Sequence, residues 1–360
     1  MTAALPPDYR TLAGQRCLVT GAAGFIGGAL LRRLAGYGLD VTGSVLHQAE
    51  AEVLRRQGFQ TQVLDLASNA DWDATLRGID VVFNVAAMFQ ETDQPEAMYD
   101  RVNHLGALRL AETALRLGTH RFIQCSTVGV HGHVREIPAR ETTPFNPMDL
   151  YHRTKLAGEL ALMELARRTD PASMAITAIR PAMVYGPGDM RMLKLFRTIL
   201  AGRFVMIGSG RVWTHLGHVE DNVDAMLLAA VAPAASVHGE AFNIASDEPM
   251  QLAPLVELIA REGGVKPPQL RVPVAPVWTA GLAVELLCRP FGWRPPLSRR
   301  RVGFFTHDRA FDLSKARHLL GYRSRWPHAE GVRDTIAAYR AQGLVAAAPA
   351  PAQYRPATSG

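Results

Sequence analysis

Tyr151 and Lys155 stand four residues apart in the run Tyr151-His152-Arg153-Thr154-Lys155. That spacing places both side chains on one face of a helix. A phenol titrates at about 10 and is a poor acid or base at neutral pH. A nearby ammonium favours the phenolate and lowers that value. A tyrosine so placed can exchange a proton with a hydroxyl or carbonyl oxygen. A second hydroxyl to hold that oxygen is available in Cys125-Ser126-Thr127, at the end of the strand-like run Arg121 to Cys125. Tyrosine and lysine meet at this spacing often by chance, so the pair carries meaning only in the right structural setting.

Thr20-Gly21-Ala22-Ala23-Gly24-Phe25-Ile26-Gly27 supplies that setting. It follows a short apolar strand, Arg16 to Thr20, and opens a helix-period run from Phe25 to Tyr37. Gly21 permits a tight turn, Gly24 lets backbone approach a pyrophosphate, and Gly27 allows close packing of the helix. The phosphates would sit on N–H groups at the helix start, around Phe25 and Ile26. The pattern predicts a dinucleotide, and with it transfer of hydride between nicotinamide and a carbon whose oxygen Tyr151 protonates or deprotonates. A ligand-free glycine turn is the alternative.

The elements that must position these groups alternate. Strand-like runs at Val41 to Val45, Thr61 to Leu66, Val81 to Val85, Arg121 to Cys125 and Met174 to Arg180 are separated by helical ones. The helical runs are Ala49 to Gln57, Tyr99 to Leu117 and Leu150 to Arg168. Such alternation predicts an α/β fold, a doubly wound (Rossmann) parallel sheet with helices on both faces. After about residue 185 the pattern loosens and Pro and Gly cluster. We expect a dinucleotide-binding domain over 14–185, a smaller C-terminal substrate-binding lobe over 186–340, and a disordered Ala/Pro-rich tail over 341–360.

The GxxGxxG spacing, the Tyr151/Lys155 pair and several quieter segments together resemble the extended short-chain dehydrogenase/reductase family. It is also called the NAD-dependent epimerase/dehydratase family. The resemblance runs from about residue 14 to 340. It implies that Thr127 orients the reacting oxygen, with Ser126 the runner-up, and that Lys155 also holds the nicotinamide ribose. It implies that Asp65 and Leu66 contact adenine and that Ala86 and Ala87 let backbone approach the cofactor. Asn103 falls at the family's structural asparagine, beside the cofactor set. Pro181 and Val184 lie in Arg180-Pro181-Ala182-Met183-Val184-Tyr185-Gly186-Pro187-Gly188, a segment expected beside nicotinamide. His131 stands where the family usually has Tyr, either as a proton relay or as a loop histidine in a polar niche. Val45-Leu46-His47-Gln48 offers neither the acid that binds a ribose 2′-OH nor an Arg for a 2′-phosphate. NAD or NADP both remain, and the reading leans to NAD.

Substrate is a separate matter, because fold and family do not fix it. Sugar-nucleotide members often carry Asn at the position of Met183 and Arg near Thr214, groups suited to a diphosphate. Met183 and Thr214 replace them here. Met88, Phe89, Met183, Met190 and Met192 would give an adaptable apolar wall, with Met88, Ser126 and Met183 touching substrate. The apolar run Val277 to Cys288, followed by Pro295-Pro296-Leu297, resembles the 3β-hydroxysteroid-dehydrogenase-like branch. The expectation is therefore an NAD(P)-dependent oxidoreductase acting on a secondary alcohol or ketone of a lipophilic, 3β-hydroxysteroid-like substrate. The alternatives are a nucleotide-sugar 4-epimerase/dehydratase and, from another class, a non-catalytic dinucleotide-binding sensor.

Composition narrows the rest. With 48% hydrophobic and 20% charged residues in 360, the chain is an ordinary globular one. Three widely spaced cysteines, Cys17, Cys125 and Cys288, exclude a disulfide scaffold or zinc knuckle and suit a reducing, cytoplasmic setting; no metal site is expected. MTAALPPDYR lacks the basic start and apolar run of a secretory leader. Net charge is +6, and residues 289–340 alone hold 12 Lys/Arg against 4 Asp/Glu. No nucleic-acid motif accompanies the basic segment, so nucleic acid is not expected. The partners expected are a small-molecule substrate and a second copy of the chain. Such a homodimer, implied by the resemblance, would form through Asn103 to Leu117 and His152 to Arg168. Weak membrane-surface contact by the apolar run Pro276 to Cys288 is the minor alternative.

Overall fold

Seven short strands rich in Val, Ile, Phe and Ala run parallel: β1 (Arg16–Thr20), β2 (Asp40–Val45), β3 (Gln60–Val63), β4 (Val81–Asn84), β5 (Arg121–Cys125), β6 (Ala175–Pro181) and β7 (Glu240–Ile244). The computed structural model describes residues 7–89, 94–288 and 302–346. Strand order is β7-β6-β5-β4-β1-β2-β3 with every pairing parallel, so the chain winds outward in two directions from β1. The topology is the doubly wound α/β sheet that the strand–helix alternation predicts. Ligands of such sheets bind at the carboxyl ends of the strands, beside the point where the order reverses.

Five helices cover the sheet: α1 (Phe25–Gly36), α2 (Gln48–Arg56), α3 (Ala107–Arg116), α4 (Leu150–Arg167) and α5 (Val219–Val231). One face is packed by α1 and α5 through Leu30, Leu31, Leu34, Val223, Met226 and Leu227 against Val19, Phe83, Ile123, Ile179 and Phe242. The other is packed by α3 and α4 through Leu110, Ala114, Leu162 and Leu165 against Leu18, Val82, Phe122 and Ile176. Successive strand residues alternate between the two clusters, as period-two side chains on a sheet buried on both faces must.

Several boundaries differ from expectation. β3 stops at Val63, and Asp65 turns the chain by accepting from Ala67 N–H at 2.8 Å. Asp65 and Leu66 therefore lie just beyond the strand rather than closing it. The single helix expected over Tyr99–Leu117 is three pieces: Glu96–Asp100, a wider π-type turn Arg101–Gly106, and α3. The wider turn sits where two glycines admit backbone. A Cβ on Gly106 would overlap the Leu66 carbonyl oxygen, and one on Gly158 of α4 would overlap the Asn103 carbonyl oxygen.

The chain divides into two units, and the division is not a single cut near residue 185. Unit one comprises 1–185, 213–249 and 308–327; unit two comprises 186–212, 250–307 and 328–360. The later segments return because β7 completes the sheet and Leu313, Ala316, Leu320 and Tyr322 complete the α1/α5 core. Within unit two, helices Leu193–Leu200, Leu252–Gly263, Val274–Cys288 and His328–Ala341 accompany a two-strand pairing of Met206–Ile207 with Arg271–Val272. Tyr339 packs edge-on to Phe196 and donates to the Asp189 carbonyl at 2.6 Å. Pro295 to Leu297 and most of the expected tail, 347–360, lie outside the described residues.

Two groups at the start of α5 make stability depend on pH. His218 is buried and stacks on Trp326 at 4.0 Å; burial lowers its pKa to about 4. Asp221 is raised to about 6 by burial, although Ser324 Oγ and Arg325 N–H donate to it. A depressed histidine destabilises as pH falls below its unfolded value. A raised aspartate destabilises above its unfolded value and is relieved on acidification. From pH 7 to 5 the two oppose each other by about 1–2 kcal/mol each. His218→Phe should therefore gain stability relative to wild type on acidification and Asp221→Asn should lose it, read from urea midpoints at both pH values. Gly158→Ala should lower the thermal midpoint. Overlap with the Asn103 backbone, about 1–3 kcal/mol, outweighs alanine's advantage in a helix of about 1 kcal/mol.

Candidate active site

The turn after β1 is shaped by what cannot fit in it. Gly21 has φ +66° and lies so close to β4's exit that a Cβ would come 2.9 Å from Ala86 Cα. A Cβ on Gly27 would overlap the Gly21 carbonyl, and one on Gly24 would be 3.0 Å from the same oxygen. No side chain caps α1, whose first turn also lacks an acid. The first-turn N–H groups of a helix have no intrahelical acceptor, and together with the helix dipole they favour an anion. Phe25, Ile26 and Gly27 are that turn. This cradle fits the diphosphate of a dinucleotide.

Beneath it runs a row of buried polar side chains that the sequence did not reveal. Thr20 Oγ1 donates to Asn84 Oδ1 at 2.7 Å, and Asn84 Nδ2 donates to Gln124 Oε1 at 2.8 Å. Thr20 Oγ1 also accepts from the N–H groups of Val85 and Ala86, both at 3.0 Å. β1, β4 and β5 are tied at their carboxyl ends, and Ala86 is fixed against Gly21. Ala87 follows, exposed.

Helix α4 begins at Asp149, whose carboxylate accepts from His152 N–H at 2.8 Å. One turn past Tyr151, Lys155 is 1% exposed and its Nζ donates to the Cys125 carbonyl at 2.5 Å. Burial pushes the Lys155 pKa down, while Glu159 opposes that shift. Two residues past Cys125, Thr127 is partly exposed, and its Oγ1 accepts from Gly129 N–H at 3.0 Å. A hydroxyl that accepts one such bond keeps its own hydrogen to donate. A Cβ on Gly129 would collide with the His152 ring, so this turn lies directly on the start of α4. Lys155 and the turn that carries Thr127 are thus brought to the end of β5, against the start of the helix that carries Tyr151. Ser126 is different: its N–H donates to Ile179 O at 2.7 Å, and its buried Oγ has no hydrogen-bond partner among the described residues.

Asn103 is a brace: its Oδ1 accepts from Met88 N–H, and its Nδ2 donates to Met88 O and to Thr154 Oγ1, at 2.9, 3.0 and 3.0 Å. Both amide hydrogens are used, tying the loop after β4 to α4. That loop carries Phe89, which meets the Tyr151 ring edge-on at 4.8 Å. Asp65 and Leu66 lie past β3, and Pro181 ends β6. Met183 and buried Val184 follow in a short strand paired with Leu216–His218.

His131 is no relay. It is buried, stacks on Phe145, and shares a hydrogen bond with Arg180 Nη1 at 3.1 Å; burial first and Arg180 second lower its pKa. Arg180 is held by both Glu159 oxygens, with Nε at 3.1 and 3.0 Å and Nη2 at 2.5 Å. This buried pair locks α4 to β6 one turn past Lys155. The signals for it were an arginine inside an apolar strand and a glutamate on the helix face that carries Lys155.

The sequence of residues 17–245 matches the model of the NAD dependent epimerase/dehydratase family. A 3-beta-hydroxysteroid dehydrogenase of Mycolicibacterium neoaurum is 28% identical over 95% of this chain and 99% of its own length. A 3beta-hydroxysteroid-dehydrogenase/decarboxylase isoform of Arabidopsis thaliana is 28% identical over 89% of this chain and 78% of its own. The solved structure of MoeE5 in complex with UDP-glucose and NAD is 26% identical, with a TM-score of 0.67 over 91% of this chain and 99% of that one.

Glu159→Ala strands the Arg180 guanidinium in the core and should cost about 3–5 kcal/mol. The double change Glu159→Leu/Arg180→Met should recover most of that loss in the same denaturant titration.

Proposed function

The chain belongs to the NAD-dependent epimerase/dehydratase family and is an NAD-dependent oxidoreductase of the extended short-chain type. From that premise we propose that it moves hydride between nicotinamide and a secondary alcohol or ketone of a lipophilic, 3β-hydroxysteroid-like substrate. The dinucleotide, when bound, supplies the hydride acceptor or donor. Gly21, Gly24, Phe25, Ile26 and Gly27 receive its diphosphate. Asp65, Leu66, Ala86, Ala87, Pro181 and Val184 line the remainder of its site. Tyr151 takes or gives the proton of the substrate oxygen, and Thr127 donates a hydrogen bond to that oxygen. Lys155 holds positive charge beside the phenol and reaches the nicotinamide ribose. Met88, Met183 and Ser126 touch the substrate.

The observation that carries this reading is the buried Lys155 ammonium on the Cys125 carbonyl, one turn from Tyr151 and two residues from Thr127. A sensor without turnover would have no use for a desolvated ammonium beside a phenol. NAD rather than NADP is favoured by the NAD held in MoeE5, and β2 exits through exposed Leu46, His47 and Gln48, with no cation among them for a 2′-phosphate. A homodimer through the π-type turn, α3 and α4 is supported by exposed Leu105 and Leu160. The cytoplasm is favoured by Cys17 and Cys125, buried cysteines outside any disulfide. The second reading, a nucleotide-sugar 4-epimerase/dehydratase, rests on the UDP-glucose held in MoeE5. Met183, where a polar contact would serve a diphosphate, weighs against it.

Tyr151→Phe should lose about 10²–10⁴-fold in turnover while binding NAD as wild type does. Turnover is read as NADH absorbance with 3β-hydroxysteroids, and NAD binding by calorimetry. Tight binding of UDP, dTDP or GDP to the NAD-loaded protein, with no steroid turnover, would replace the first reading by the second.

A further inference from the structure

Unit two carries a helix, Val274–Cys288, that has almost nothing for water to bond. Its sequence, VAPVWTAGLAVELLC, holds one charged residue, Glu285, and one hydroxyl, Thr279. Thr279 Oγ1 turns back to the Ala275 and Pro276 carbonyls, both at 3.1 Å. Trp278 is 42% and Leu287 71% exposed, and Leu270, just ahead of the helix, is 61% exposed. Ala275, Pro276, Ala280 and Ala283 are exposed as well, and Gly281 is the one buried position among the helix's described side chains. A helix apolar all round belongs inside a core or against lipid, and exposed apolar area of this extent marks an interaction surface.

Length and charge select the occupant. Fifteen residues span about 22 Å at 1.5 Å per residue, short of the roughly 30 Å of a bilayer's hydrocarbon. Among the described residues no helix is long and apolar enough to cross a membrane. At its described length the helix can lie along a bilayer surface but not pass through it. Sixteen Lys/Arg stand against six Asp/Glu in the sequence of unit two, a net +10 in a chain whose total is +6. Lys266 and Arg271, just before the helix, are exposed. A second copy seated on this helix would bring like charge to like charge, whereas an acidic phospholipid surface is complementary to it.

We propose that helix Val274–Cys288 is a docking element for an anionic phospholipid bilayer. It lies in the interfacial layer on its exposed face, Ala275, Pro276, Ala280 and Ala283, with Trp278 and Leu287 at the two edges of that face, while basic side chains of the same unit engage the headgroups. The proposal stands whether or not the substrate is a steroid, and it gives a lipophilic substrate a route that avoids water.

The full chain is sedimented with vesicles of phosphatidylcholine alone and of phosphatidylcholine mixed with phosphatidylglycerol. The protein should pellet with the mixed vesicles and be released by added salt. The double change Trp278→Ser/Leu287→Ser, at exposed positions, should cut the bound fraction by about tenfold while leaving NAD affinity and the far-ultraviolet spectrum unchanged. Failure to pellet with the mixed vesicles overturns the proposal, as does equal binding to both vesicle types or undiminished binding by the variant. A dimer that light scattering shows in the wild type and not in the variant would assign the helix to a second copy, and would also overturn it.

Discussion

Helix α4 turns a carboxylate and an ammonium into the protein interior one turn apart, and neither can remain there unpaired. Lys155 finds the Cys125 carbonyl and Glu159 finds Arg180. A charge left uncompensated at such depth costs several kcal/mol, so slipping the helix by one residue is forbidden twice over. The place of Tyr151 follows from that register. The ring is set by two buried groups further along the helix together with its edge-on contact with Phe89. This separates the duties of the helix: its core face fixes position, and its first turn is left to meet a substrate.

The same logic of exclusion operates at the glycine turn. Gly21, Gly106 and Gly158 matter for what they keep out, since each admits a backbone atom where a methyl group would lie. The buried row Thr20–Asn84–Gln124 then holds the strand ends that those approaches bring together. Asn103 adds the remaining tie, from the loop after β4 to Thr154 of α4. The glycine turn and the helix that carries Tyr151 and Lys155 are thus mechanically joined through buried side chains.

Much of this was legible in the sequence where the signal is local. The turn glycines, the Tyr151/Lys155 spacing and the strand–helix alternation each occupy a short window, and backbone geometry gives them one reading. The position of Thr127 just past the carboxyl end of β5 was legible because the strand before it is a short apolar run. The pairing of Glu159 with Arg180 was not, because it joins residues 21 apart in sequence on elements whose angle no local pattern specifies. Asn103 was found, but not the neighbours its side chain binds. Its type announces an amide to be satisfied, and only the fold shows that Met88 and Thr154 satisfy it. The π-type turn was hidden because it answers to glycines elsewhere, at Gly158 and within the turn itself. The cut expected near residue 185 failed because β7 and the segment around Tyr322 are short and unremarkable until the sheet and the α1/α5 core they complete are seen.

That interrupted path has a consequence for how the chain comes into being. Tyr322 is fully buried and donates to the Ala245 carbonyl at 2.5 Å, and Leu313, Ala316 and Leu320 sit beside it in the core under α1 and α5. A ribosome delivers this cluster more than a hundred residues after β6. Until then one patch of the core under α1 and α5 has no cover and the Ala245 carbonyl awaits its donor. The core of unit one is therefore closed only late in synthesis, by a short segment that acts as its latch.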